Sequence, residues 1–273
     1  MVLRDKVAIV TGSGGPGCGR AVARRLACEG CAVVVSDIDA RGAEETLQLI
    51  EADGGRAALK LANVRVESDI EALIAFAEKT FGGLDILVNN ASAPFRPGEP
   101  MQHWAEIIEA DLIGPMNAVL HSIPAMRRRS GGVIINFGST SAVGHGYKHC
   151  PVPAYDVAKA GVMRLTTTLA GLRETENIRV NCIVPDWVAT PEVKEYWDPL
   201  TPERRRESGA PQVLTSLDEI AQAVVDLISD ESLAGRVMVW WSGEQRGLIP
   251  AGDRGYVALD SYDHVLVASS MES

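Results

Sequence analysis

Residues 7–20 read VAIVTGSGGPGCGR: four apolar residues, three of them β-branched, run directly into ten residues that hold five glycines and one proline. A short β-branched run reads as a buried strand, and glycine-rich sequence behind it as a tight turn. The following stretch, 19–29, carries Val22 and Leu26 on one face of a predicted helix. Strand, glycine loop and helix in this order open a βαβ unit.

Working outward, short apolar runs, most of them β-branched, recur at 32–35, 57–61, 86–88, 133–137, 179–184 and 237–241, which with 7–10 makes seven predicted strands. Runs apolar on both faces suit a parallel sheet covered by helices on both sides, and each interval leaves room for a crossover helix. The fold class expected is therefore α/β, a doubly wound parallel seven-stranded sheet in a single domain, 1–273, with its core at 6–243. Ser-x-x-Glu boxes at Ser68 to Glu71 and Ser216 to Glu219 predict two helix starts, and Gly30 and Gly82 fall where helices should stop. No repeat or low-complexity tract divides the chain.

With 46% apolar residues the chain can build a substantial core. A formal net charge of −10 argues against nucleic acid, whose binding depends on clustered Lys and Arg. The basic triplets at 127–129 and 204–206 are isolated, and the first suits a helix C-terminus. No apolar stretch is long enough to span a bilayer and the first residues are not those of a secretory signal, so a cytoplasmic protein without membrane partners is expected. The five cysteines read as small, mostly buried hydrophobes, including Cys28 and Cys31, whose C-x-x-C has no second pair to complete a zinc site. His145 and His149 are four apart, but nearby Pro and Gly argue against a helix, and no metal is expected.

The glycine loop has the context of an anion site. Gly12, Gly14 and Gly17 fit G-x-G-x-x-G, and unpaired amides at the N-terminus of the next helix attract a pyrophosphate. Asp37 follows the second predicted strand, 18 residues beyond Gly19, near the place of a carboxylate that grips adenine-ribose hydroxyls. A carboxylate there repels a 2′-phosphate, so the cofactor expected is NAD rather than NADP. Farther on, Tyr155 and Lys159 stand at i and i+4 of a helix-compatible run. The two share one face, and an ammonium beside a phenol favours phenolate, bringing Tyr155 toward working pH as a general acid or base. Ser139 follows the fifth predicted strand, where its hydroxyl can hold a substrate oxygen.

These stretches, with Asn89-Asn90-Ala91, Asn181, Pro185 and Thr190, resemble the short-chain dehydrogenases/reductases, in their compact single-domain branch. The resemblance runs from about Lys6 to Gly243. It implies a Rossmann fold and hydride transfer between nicotinamide and a secondary alcohol or ketone, a small-molecule substrate. It implies that Tyr155 moves the proton, that Ser139 orients the substrate oxygen, and that Lys159 binds nicotinamide ribose while lowering the tyrosine pKa. Gly12, Gly14, Gly17, Gly19, Asp37, Asn63, Val64, Asn90, Val188 and Thr190 would complete the cofactor site, and family members usually form homodimers or homotetramers.

The chain departs from the pattern in several places. Its glycine loop has one extra residue, whose added freedom Pro16 limits. Asn63 replaces an Asp, though its side-chain oxygen still accepts a hydrogen bond from an adenine amino group. Ser92 and Asp186 replace glycines, which bears on local backbone geometry. Asp111 takes the place of the family's catalytic Asn, and a carboxylate near Lys159 would stabilise the ammonium while partly cancelling its pull on Tyr155. Tyr155 lies sixteen positions after Ser139, more than the family's usual interval, predicting a longer substrate-side loop with His145, Tyr147, His149 and Cys150. Ser141 is an alternative oxygen-orienting hydroxyl. Residues 190–212 read as a lid, with Trp187, Tyr196 and Trp197 either lining a pocket or packing helices. The tail, 244–273, has enough apolar residues to pack. An alternative to the enzyme is a dinucleotide-binding sensor or interaction protein with little chemistry, against which stands the retention of Ser139, Tyr155 and Lys159 together.

Overall fold

The computed structural model of the chain describes residues 3–99, 101–143 and 152–250. Strands β1 (Val7–Thr11), β2 (Ala32–Ser36), β3 (Arg56–Leu59), β4 (Ile86–Asn89), β5 (Gly132–Phe137), β6 (Ile178–Pro185) and β7 (Arg236–Trp240) are parallel, in the order β3-β2-β1-β4-β5-β6-β7. An eighth strand, β8 (Gly247–Leu248), adds to β7 antiparallel. It lies in what the sequence assigned to the tail, where two residues are too few to show a period of alternation.

Ten α-helices connect them among the described residues: α1 (Cys18–Cys28), α2 (Ala40–Ala52), α3 (Glu67–Phe81), α4 (Trp104–Ile108), α5 (Gly114–Arg128), α6 (Pro153–Thr168), α7 (Leu172–Glu176), α8 (Pro191–Trp197), α9 (Pro202–Ser208) and α10 (Leu217–Ser229). Side chains alternate across each strand, so Ala8 and Val10 pack with Val22 and Leu26 of α1, Ile50 of α2 and Val224 of α10. Val7 and Ile9 face the other way, onto Ile70 and Leu73 of α3 and Val119 and Met126 of α5. Both faces of the sheet are thus covered, which is why its strands read as unbroken apolar runs. Each fully buried Leu or Ile, such as Leu26, Ile9 or Ile134, contributes about 1.5–3 kcal/mol.

Helix ends follow local chemistry. Ser216 and Glu219 form the reciprocal capping box expected of them, and Gly82 closes α3 with φ +87°. The box expected at Ser68 does not form: α3 begins at Glu67 behind Val66, which makes no side-chain cap. Asp69 is drawn instead to the backbone of the preceding loop, where its Oδ2 accepts from the Asn63 amide at 2.9 Å. At the end of the sheet where strands begin, buried Asp85 accepts from the Val7 amide at 2.9 Å, Lys6 at 3.3 Å and Arg129 at 3.1 Å. Arg127 and Arg128 reach Glu176 and Glu78 as α5 ends.

The strand order reverses between β1 and β4: the chain runs outward from β1 to β3, then returns to the other side of β1. In open α/β sheets, ligands bind beyond the carboxyl ends of the strands at such a switch point. The glycine loop after β1 and Asn89 to Ser92 after β4 meet there.

Candidate active site

The loop at the switch point is held by its own backbone. The Ser13 amide donates to the Ser36 carbonyl at 3.1 Å and the Ser13 hydroxyl to Val10 at 2.9 Å, prolonging the β1–β2 alignment by one step. The extra length therefore emerges at Gly15 and Pro16, the exposed part of the loop. A Cβ on Gly14 would lie 2.9 Å from the Asp37 carboxylate, and one on Gly19 would collide with the Gly12 carbonyl and the Asn90 side chain. Glycine is required at both positions for steric reasons that the motif alone did not supply.

Asp37 accepts from the Gly14 amide at 2.7 Å and the Asp39 amide at 3.0 Å. Asn90 donates to the carbonyls of Thr11 and Gly12 at 3.0 and 2.9 Å, tying the ends of β1 and β4. Sequence reasoning missed Arg20, whose guanidinium turns back to bond the Gly14 and Gly42 carbonyls and pairs with Glu45 at 3.3 Å. Gly12, Gly17, Gly19, Asn90 and Ser92 line a cavity of about 330 Å³ in front of the α1 N-terminus. Thr190 caps α8 by accepting from Val193, and its methyl lies close to Gly17, 3.7 Å from where a Cβ would stand. Val188 is buried and bridges to Thr215. The Asn63 side-chain oxygen accepts from the Arg65 amide at 3.1 Å, so it serves its own turn. Val64 is half-buried in the same turn.

The second half of the site is built on α6 and the segment before α5. Lys159 is buried, and its ammonium lies 3.0 Å from Asp111 Oδ1, 3.1 Å from the Phe137 carbonyl and 5.3 Å from the centre of the Tyr155 ring. Asp111 sits on a π-helical turn, Glu109–Ile113, between α4 and α5, a distortion frequent at functional sites. Its Oδ2 accepts from the Ala93 amide at 2.8 Å and its Oδ1 also accepts from the Ser92 hydroxyl at 2.5 Å. Burial pushes the Lys159 ammonium down, but Asp111, helped by Tyr155, outweighs it and holds the pKa above the ordinary lysine value. The thiols of Cys18 and Cys182 are pushed up by burial to about 11 and about 12, which keeps them protonated beside this cation.

Tyr155 stands against Phe95, edge to face with ring centres 5.6 Å apart. The Ser139 oxygen accepts from the Ser141 hydroxyl at 3.0 Å, so the two candidate hydroxyls form one pair rather than alternatives in different places. Asp186 accepts from the Thr140 hydroxyl at 2.9 Å and the Ser242 amide at 3.2 Å, tying the turn after β5 to the end of β7. Neither Asp186 nor Ser92 has positive φ, so neither replaced glycine was needed for its torsions. In the lid, Trp197 is stacked under Arg205 and donates to the Pro211 carbonyl at 2.8 Å, the packing role, whereas Trp187 and Tyr196 pair at 5.9 Å. His145, Tyr147, His149 and Cys150, and the tail beyond residue 250, lie outside the described residues.

The short chain dehydrogenase family model matches residues 6–200. The chain belongs to this family. As a short-chain dehydrogenase it is 32% identical over 236 residues to cyclohexanol dehydrogenase of Acinetobacter sp. (strain SE19), covering 84% of this chain and 89% of that one. It is 34% identical over 264 residues to cis-4-hydroxycyclohexanecarboxylate dehydrogenase of Sinomonas cyclohexanicum, covering 93% and 98%. A solved structure described as a short-chain dehydrogenase/reductase from Burkholderia xenovorans superposes with a TM-score of 0.77 at 31% identity, over 88% of this chain and 96% of that one. This short-chain dehydrogenase is thus an oxidoreductase of a family whose members use a nicotinamide cofactor, and its glycine-lined cavity, open amides and close backbone approach fit a dinucleotide. Among the described residues no helix is long and apolar enough to cross a membrane.

Proposed function

We propose that the protein is an NAD-linked dehydrogenase or ketoreductase for a secondary alcohol or ketone, with Tyr155 as the general acid–base. The observation that carries this reading is the buried, charged Lys159 one helical turn from Tyr155, its ammonium 5.3 Å from the ring. A permanent cation at that distance favours phenolate, the form that takes a proton from a bound alcohol. Ser139, with Ser141 donating to it, would hold the substrate oxygen, while bound nicotinamide supplies the hydride acceptor or donor. Lys159 has one N–H beyond those given to Asp111 and Phe137, and this is the donor available to the nicotinamide ribose.

The preference for NAD is supported by Asp37 and by the pairing with Glu45 of both Arg20, which bonds the Gly14 carbonyl beside that carboxylate, and Arg41, four residues after it. Gly12, Gly14, Gly17, Gly19, Asn63, Val64, Asn90, Val188 and Thr190 would line the bound dinucleotide. Relatives named for cyclohexanol and a hydroxycyclohexanecarboxylate support ring alcohols as the first substrates to try. Self-association as a homodimer or homotetramer is supported by exposed Ile113, Met116, Leu120 and Val157, apolar surface that a second copy would cover. The free cysteines 18, 28, 31 and 182 suit a cytoplasmic location.

The test is appearance of reduced-nicotinamide absorbance across a panel of secondary alcohols, with NAD and NADP compared. Tyr155→Phe should lower turnover by about 10²–10⁴-fold, the usual contribution of a positioned acid–base group. Turnover unaffected by that substitution removes the mechanism, and dinucleotide binding without any turnover leaves the sensor.

A further inference from the structure

Ser92 and Asp111, two of the chain's departures from its family's pattern, are bonded to each other. The Ser92 hydroxyl donates to Asp111 Oδ1 at 2.5 Å, and this is the same oxygen that meets the Lys159 ammonium at 3.0 Å. Ser92 lies at the exposed rim of the glycine-lined cavity, where water could satisfy its hydroxyl, yet it turns inward to a carboxylate whose own side chain is fully buried. Its alternative acceptor, the Ala93 carbonyl, is at 3.3 Å, and the single hydroxyl proton goes to the shorter, charged partner. A buried carboxylate needs donors in a way that a neutral amide does not. Glycine at position 92 would supply none.

We propose that Ser92 is a positioning residue that acts through Asp111 on Lys159, setting how much of the ammonium's field reaches Tyr155. It rests on the dehydrogenase reading above and deepens it. Asp111 partly neutralises Lys159, and the Ser92 hydroxyl in turn disperses the carboxylate's charge, so that more of the ammonium's attraction is left for the phenol. Among the described residues, the other titratable groups facing this cation are Cys18 of α1 and Cys182 of β6, both held protonated by burial, so among them the balance is set by Ser92, Asp111, Lys159 and Tyr155. Hydrogen bonding to a charged form favours that form, and losing it strengthens the bare charge felt nearby.

The test compares wild type, Ser92→Ala, Asp111→Asn and the double variant in NAD-dependent oxidation of cyclohexanol as the probe alcohol, against pH. Ser92→Ala should move the limb on which turnover rises with pH to higher pH by about half a unit, about a threefold loss of phenolate at fixed pH. Asp111→Asn should move it the other way, and adding Ser92→Ala to that background should do nothing further. The same order should appear without substrate in the tyrosinate absorbance difference between each protein and its Tyr155→Phe counterpart. A Ser92→Ala profile superimposed on wild type, or an effect of equal size with Asn at 111, overturns the proposal. A wild type that turns over no alcohol of the panel, with a tyrosinate titration that still shifts as described, sinks the dehydrogenase reading and leaves this coupling standing.

Discussion

Replacing Asp111 by Asn removes one negative charge from the neighbourhood of Tyr155 while keeping an oxygen for Lys159. The carboxylate oxygen is 3.0 Å from the ammonium, which is 5.3 Å from the tyrosine ring centre, so the charge lies no more than about 8 Å from the phenol ring. At an effective dielectric constant of about 20, a unit charge at that distance is worth about 2 kcal/mol. Solvent from the cleft reduces it, leaving a shift of about one pKa unit. The sign follows from removing an anion: phenolate becomes easier to form, so the limb on which alcohol oxidation rises with pH moves down by about one unit. Lys159 does not confuse the reading. Its pKa is raised, so its ion pair is intact throughout the range below ordinary lysine titration and is lost only as pH rises past that range. The assay is the pH dependence of kcat for both proteins, and an upward shift or no shift refutes the electrostatic account. Asp111→Ala differs in kind: it leaves a buried cation without its partner and should cost about 3–5 kcal/mol in unfolding free energy.

Asp37→Asn should raise the ratio of NADP to NAD activity by about tenfold or more, since removing the repulsion of a 2′-phosphate is worth at least 1.4 kcal/mol of discrimination; an unchanged ratio would place coenzyme choice elsewhere. Gly19→Ala should abolish dinucleotide binding measured by fluorescence titration, because its Cβ would displace the Gly12 carbonyl and the Asn90 side chain that shape the loop. Asp85→Ala, far from the site, should leave KM unchanged but lower stability in urea by about 2–4 kcal/mol, because it strands the buried Val7 amide and two cations.

Much of this molecule was legible because its information is local. Apolar runs sufficed for the seven parallel strands, since a strand buried on both faces is apolar along most of its length, as β1 and β2 are up to Thr11 and Ser36. The glycine loop and the Tyr155–Lys159 pair were legible for the same reason: one is a turn between adjacent elements, the other a single helical turn. Ser216 announced α10 through a contact three residues long. Ser68 misled because the helix begins one residue before it, at Glu67, which places Ser68 inside the first turn rather than at the cap.

What the sequence left undecided depends on groups distant along the chain. Asp111 is 48 residues from Lys159 and 19 from Ser92, and only the π-helical turn that aims it inward makes the three a unit. Asp186 looked like a loss of backbone freedom and is instead a clamp on the turn that carries Ser139. Its bonds to Thr140 and Ser242 exist only because β5, β6 and β7 end side by side. Residue types and short spacings fix which chemistry is available; the long-range packing of strand ends fixes which charges touch, and a carboxylate's effect on a phenol falls with distance that no linear spacing records.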